Sequence, residues 1–137
     1  MQDLLRINSS MFNKNILFIF LFLNSAFCFS QNAEFSIKEA VKKFGSVKEG
    51  EIIEHVYEFK NTGNSPLIIS DYSVACKCTQ VFFSKEPLMP NQTGQVKIVF
   101  DTKGKYLHQD RIVYLFVNTK KKIVKLRFKV YVIPNEK

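Results

Sequence analysis

Two cysteines separated by one residue, Cys76 and Cys78, are the side chains best placed to do chemistry in this sequence. On an extended strand, residues i and i+2 point the same way with Cα atoms about 6.5–7 Å apart. That is the outer limit of disulfide geometry, so a bridge between them needs a local bend. Three readings stand. The pair is a structural disulfide pinning a tight turn, a labile dithiol for redox exchange or a soft metal such as Cu(I), or two thiols with no role. The closed loop is tiny, so little stabilisation through chain entropy is expected and any effect is local.

The remaining candidates are weaker. His55 and His108 are the only histidines. His55 falls on the apolar side of an alternating segment, where a hydrogen-bonded core role is expected, and His108 reads as a solvated turn residue. A structural zinc site takes four ligands, and no second cysteine pair accompanies these histidines. Gly-x-Ser-x-Gly, a phosphate-cradling glycine loop and His-Glu-x-x-His are all absent. Asp71, Asp101 and Asp110 fall at turn signals, where carboxylates commonly accept backbone N–H groups. Asn91-Gln92-Thr93 is a glycosylation sequon in form only. The sequence therefore reads as no enzyme, with no metal or other cofactor. Phe82, Phe83, Leu88 and Met89 flank the cysteines and Pro87, and either cap a core end or offer a partner surface.

The compartment follows from the N-terminus. Lys14 precedes the apolar run Ile16-Leu17-Phe18-Ile19-Phe20-Leu21-Phe22-Leu23, and a smaller, more polar exit follows at Asn24-Ser25-Ala26. These are the parts of a secretory signal peptide. The run is short of the roughly 20 residues a bilayer span takes, so no permanent membrane span is expected. Residues 1–30 are read as the leader, cleaved after Ser30 to leave Gln31, with Cys28 and Ser30 as the small residues before the cut. Met11 is a second candidate start. Lipidation at Cys28 is disfavoured by Phe27 directly before it. Export places the protein in the periplasm or outside the cell, where disulfides persist, and this favours the structural bridge.

After residue 30 there are 18 Lys and Arg against 11 Asp and Glu, a formal +7. The basic residues are dispersed apart from Lys120-Lys121-Lys122, so nucleic acid is not the expected partner. Weak contact with anionic surfaces (lipid head groups or acidic polysaccharide) is.

The elements that must position these residues show a period of two. Short runs rich in Val, Ile, Phe and Tyr are broken by Gly, Pro, Asn and Asp about every ten residues, the pattern of an all-β sandwich. Strands are expected at 34–37, 41–47, 51–60, 65–72, 80–83, 95–101, 111–117 and 123–133. Ile53, His55, Tyr57 and Phe59 share one face of the third, and Val124, Leu126, Phe128, Val130 and Val132 one face of the last. Residues 111–117 are apolar on both faces, which predicts a central strand covered on both sides or one edging another layer. Gly63 is expected to supply a positive φ in the Asn61-Thr62-Gly63-Asn64 turn. The strands would place roughly 15–20 apolar side chains inside, each contributing about 1.5–3 kcal/mol.

Four segments carry a resemblance. They are Glu58-Phe59-Lys60-Asn61-Thr62-Gly63, Ala75-Cys76-Lys77-Cys78-Thr79, Pro90-Asn91-Gln92-Thr93-Gly94, and Phe100-Asp101-Thr102-Lys103-Gly104-Lys105 ahead of Val117-Asn118-Thr119. Together, over roughly residues 40–132, they resemble the bacterial family catalogued as domain of unknown function 1573. That family's hallmarks are a Phe-x-x-Asn-Thr-Gly turn, Ser-Cys-Gly-Cys-Thr, and a Phe/Tyr-Asp-Thr-Lys-Gly turn. The resemblance implies an exported immunoglobulin-like β-sandwich related in fold to PapD-like and major-sperm-protein modules. Carried onto this chain, its turn residues are Asn61, Thr62, Gly63, Thr79, Asp101, Thr102 and Gly104. Ala75 and Lys77 depart from the family's Ser and Gly, and Lys lacks the backbone freedom of glycine between the cysteines.

The reading is thus a leader at 1–30 and one antiparallel immunoglobulin-like domain at 31–137. It is expected to act as a non-catalytic structural or binding domain of the bacterial cell envelope, through loops or an edge strand, on an envelope protein or glycan. The alternative is a thiol-dependent redox or Cu(I)-handling factor using Cys76 and Cys78.

Overall fold

A computed structural model describes residues 31–135. The leader and the choice between Met1 and Met11 lie outside these residues. Eight strands form: β1 (Phe35–Ile37), β2 (Val41–Lys48), β3 (Ile52–Asn61), β4 (Ile69–Val74), β5 (Thr79–Phe83), β6 (Thr93–Asp101), β7 (Leu107–Val117) and β8 (Ile123–Ile133). They build two four-stranded sheets, ordered β1-β3-β6-β5 and β2-β8-β7-β4. Pairing is antiparallel except for β2 against β8, which run parallel. The chain changes sheets after β1, so β2 lies beside the last strand rather than hairpinning onto its neighbour in sequence.

The alternation works as the residue pattern requires, because successive side chains on a strand face opposite ways. Tyr57, Phe59, Val96, Ile98 and Phe100 point from one sheet, and Val113, Leu115, Leu126, Phe128 and Val132 from the other, into a common core. Sixteen buried apolar residues make up that cluster, fourteen of them on the strands and the others Ala33 and Leu67, against the roughly 15–20 expected from the strands. Phe100 and Phe128 meet edge-on with ring centroids 5.2 Å apart, an arrangement aromatic quadrupoles favour. The Tyr57 hydroxyl crosses the interior to donate to the Arg127 carbonyl at 2.8 Å, and burial pushes its pKa up to about 12.

Four expectations are corrected. The strand expected over 65–72 forms later, as β4. Residues 65–68 are instead a loop, and Leu67 within it exchanges two backbone bonds with Leu88. β7 begins at Leu107 rather than 111, because β8 is long enough to pair it down to Val132. His108 and Asp110 are therefore strand residues, beside Tyr131 and Lys129, and not turn residues. β7 is central in its sheet, but no further layer covers its outer face among the described residues, and Phe116 there is exposed. Finally, Gly63 does not have a positive φ. A Cβ at that position would overlap the Asn32 carbonyl oxygen and lie 2.7 Å from the Glu34 nitrogen, so its role is close backbone approach.

Candidate functional site

The strand directions sort the turns to two ends of the sandwich. The β2–β3, β4–β5 and β6–β7 connections share one end, and the β3–β4, β5–β6 and β7–β8 connections share the other. Cys76, Cys78 and Thr79 therefore meet Asp101, Thr102 and Gly104 at the first end, while Asn61, Thr62 and Gly63 lie at the second. The turn residues singled out by resemblance do not converge on one centre.

At the first end, the chain crosses from β4 in one sheet to β5 in the other. The backbone bends through residues 75–78, bringing the two cysteine Cα atoms to 5.3 Å and the sulfurs into direct contact. The bend anticipated for any bridge is thus present. Cys78 donates its N–H to the Cys76 sulfur at 3.2 Å, and Thr79 donates to the Cys76 carbonyl at 3.2 Å. Asp101 in turn donates to the Cys78 carbonyl at 2.9 Å. Cys78 packs against the core, and Lys77 is exposed between the two.

Thr102 holds this end together. It is fully buried, and its hydroxyl donates to the Glu51 carbonyl at 2.6 Å and lies 3.2 Å from the Lys48 carbonyl. Asp101 accepts the Lys103 N–H at 2.8 Å, and Gly104 takes the left-handed φ of 68° that closes the turn. These are supports for the turn. Replacing Thr102 by Val keeps the shape and removes the hydroxyl, which leaves the Glu51 and Lys48 carbonyls with one backbone donor each, the Thr102 and Glu51 N–H groups. Urea unfolding should show a loss of about 1–2 kcal/mol, with no shift in circular dichroism before the transition.

At the second end, Asn61 is fully buried. Its amide donates to the Ser65 and Leu88 carbonyls at 2.8 and 2.9 Å, and its carbonyl accepts from Gly63 and Glu34 at 3.0 and 3.3 Å. One side chain so ties together three segments of chain. Thr62 donates its hydroxyl to Glu34 at 3.0 Å on the surface.

A third place escaped the sequence reading. β1 pairs only with Phe59, Lys60 and Asn61 of β3, so among the described residues no strand pairs with 52–58 on that side. Thr62 donates to Glu34 on the β1 side while Asn61 donates to Gln92 on the β6 side. Antiparallel bonds alternate, so Glu54, Val56 and Glu58 aim their N–H and C=O groups at the open edge. Beside it runs a groove of about 540 Å³ lined by Ser36, Lys38, Glu39, His55, Val56 and Glu58, among others. The shortness of the apolar run before Lys38-Glu39 was the available sequence signal.

His55 borders this groove, 4.6 Å from the Tyr57 ring and 5.9 Å from that of Phe44, centroid to centroid. Burial, and to a lesser degree Lys42, lower its pKa from 6.5 against the opposing pull of Glu39. Above that value both folded and unfolded chains hold neutral imidazole. As pH falls through it, the unfolded chain takes up the proton first, so stability declines on acidification until the folded pKa is passed. A His55→Phe variant should lose this part of the decline, read as urea midpoints between pH 7.5 and 5 (roughly the imidazole range). Asp110, on the opposite sheet's outer face, is held near 2 by its hydrogen bonds from Arg127.

No group of three or more His, Cys, Asp or Glu placed to hold a metal occurs among the described residues. No helix among them is long and apolar enough to cross a membrane.

A family model described as a protein of unknown function, DUF1573, matches residues 35–132. No curated protein matches the sequence. Among solved structures, a protein of unknown function from Porphyromonas gingivalis superposes with TM-score 0.65 at 14% identity. The match covers 78% of this chain and 50% of that one, so the chain spans half the length of that protein. A PapD-like domain of human CEP192 gives TM-score 0.59 at 13% identity, over 81% of this chain and 93% of that domain. The secreted serine protease VesC from Vibrio cholerae gives 0.54 at 13% identity, over 75% of this chain but 23% of the protease. At these identities the likeness is one of fold.

Proposed function

We propose, from the premise that this chain belongs to the DUF1573 family, that it is an exported, non-catalytic binding domain of the bacterial cell envelope. Its partner is a protein whose extended segment adds to the open edge of β3. The observation that carries this is the uneven protection of the sheet edges. β2 is lined by Lys42, Lys43 and Lys48 and its register shifts between Lys43 and Ser46. β4 is likewise irregular between Ile69 and Asp71, and β1 and β5 are short. Lysines, bulges and shortness are the usual devices that stop a strand edge from recruiting another chain. Residues 52–58 of β3 carry no lysine, bulge or shortening, and their charges are Glu54 and Glu58. Their pairing with β6 is unbroken from Ile52 to Lys60, and Val56 is 41% exposed between Glu54 and Glu58. Added strands bind through main-chain bonds, with alternate side chains setting the choice of partner.

Symmetric pairing of two copies through this edge is disfavoured, since centring it on Val56 sets Glu54 against Glu58 twice. A photo-crosslinking residue at position 56 should therefore capture a different polypeptide in intact cells. Val56→Pro removes an outward N–H that no β6 bond uses, and should abolish a neighbouring crosslink at position 54 while the domain stays folded. Capture of a second copy alone, or of nothing, rejects the edge reading. Recovery of the chain only in the cytosol with residues 1–30 attached rejects export.

The cysteine pair is read as a disulfide that braces the β4–β5 crossover, supported by the 5.3 Å Cα separation, which lies inside the range of bridged cysteines. The thiol-exchange alternative has its own support in accessibility, since Cys76 and Cys78 are only partly buried and Lys77 between them is exposed. Cys76→Ser with Cys78→Ser separates them. A brace predicts a small stability change and an unaltered crosslink, whereas an exchange or Cu(I) role predicts loss of disulfide-reducing or Cu(I)-binding activity.

A further inference from the structure

The β2-β8-β7-β4 sheet carries a patch on its outer face that the β3 edge leaves unused. Ile68, Phe116 and Ile123 point away from the core there, 36%, 36% and 43% exposed. Phe116 and Ile123 are cross-strand partners, and Ile68 bonds through its backbone to Asn118. The adjoining β7–β8 turn presents Lys120, Lys121 and Lys122, all exposed. Lys125 follows on the same face as Ile123, its ammonium 5.7 Å from the centre of the Tyr114 ring. The nearest acid by register, Asp71, stands opposite Phe116, and its carboxylate already accepts the Tyr72 N–H at 2.8 Å. Ala33 bridges Thr119, so the chain enters the domain beside these lysines.

We propose that this patch docks the domain on an anionic bilayer surface. The lysines take the phosphate groups, and Ile68, Phe116 and Ile123 settle at the boundary of head group and acyl chain. A cluster of lysines alone would serve any polyanion. Apolar side chains set within the basic rim match a surface that is charged outside and apolar just beneath. An acidic polysaccharide supplies the charge without the apolar layer. The inference is independent of the β3 edge, which belongs to the other sheet, although an envelope membrane as the target rests on export.

The test is vesicle co-sedimentation of residues 31–137, the chain expected after removal of the leader, whose eight described strands pair with one another. Vesicles of equimolar phosphatidylglycerol and phosphatidylcholine should bind it, and vesicles of phosphatidylcholine alone should not. Each lysine near such a surface strengthens binding by a factor of about five. Lys120→Glu, Lys121→Glu and Lys122→Glu together should thus weaken binding by about 100-fold or more at low salt. Phe116→Ser with Ile123→Ser should weaken it by about tenfold at raised salt, where the apolar part dominates. Circular dichroism checks each variant's fold, and Lys121→Glu alone, expected to weaken binding by about fivefold, serves if the triple change unfolds the domain. Equal binding to both vesicle types, or an unchanged affinity after charge reversal, overturns the proposal. So does competition by soluble polygalacturonate combined with wild-type vesicle binding by the Phe116→Ser/Ile123→Ser variant, which would assign the lysines to a glycan. The crosslink at position 56 should survive every one of these substitutions, so the two readings fail separately.

Discussion

Asn61→Ala should lower the unfolding free energy by about 3–4 kcal/mol, a large part of the roughly 5–15 kcal/mol available to a domain. The side chain is fully buried, and its two polar atoms bond to four backbone groups drawn from three segments. A single net hydrogen bond is worth about 1 kcal/mol, and a buried partner left unpaired costs more. Alanine deletes four bonds at once and fills none of the space. Asn61→Asp should offer no rescue, because a carboxylate keeps the two accepting bonds but faces the Ser65 and Leu88 carbonyls with a negative charge. Urea unfolding measures both. A loss below about 1 kcal/mol for Asn61→Ala would show that this residue is not the tie described above, and would reopen a binding role for its turn.

Gly63→Ala is expected to cost about 2–3 kcal/mol, for a different reason. The new methyl group would overlap the Asn32 carbonyl and crowd the backbone of Ala33 and Glu34, none of which is a flexible side-chain end. The entering chain must then leave the turn, losing the bonds from Thr62 to Glu34 and from Asn64 to Asn32. Hydrogen exchange should quicken at Thr62 and Asn64 and stay slow in β6 and β8. Gly104 makes the contrast. A Cβ there meets open space, so Gly104→Ala costs only the left-handed conformation, about 1–2 kcal/mol. If Gly63→Ala were as mild, the close approach of residues 32–34 would be dispensable.

Both glycines sit in turns that sequence resemblance singled out, yet one is required by its neighbours and the other by its own φ. That difference was not legible in either motif. Which face each residue of β3, β6 and β8 presents was legible, because period-two alternation is a local property of the strand and the core simply collects one parity. That a bridge between Cys76 and Cys78 would need a bend was also legible, since on a straight strand that spacing sits at the outer limit of disulfide geometry.

What the tertiary structure decided is everything that depends on a neighbour distant in sequence. β7 reaches back to Leu107 because β8 is there to pair with it, and this turns His108 and Asp110 from turn residues into strand residues. Asn61 becomes a buried tie only when residues 34, 65 and 88 converge on it. Among the described residues the edge of β3 is open because the chain leaves that sheet after Ile37 and pairs next with β8. Local alternation specifies which way a side chain points but says nothing of which backbone lies alongside. The latter is set by long-range pairing, and so are the edges at which a sandwich can meet its partners.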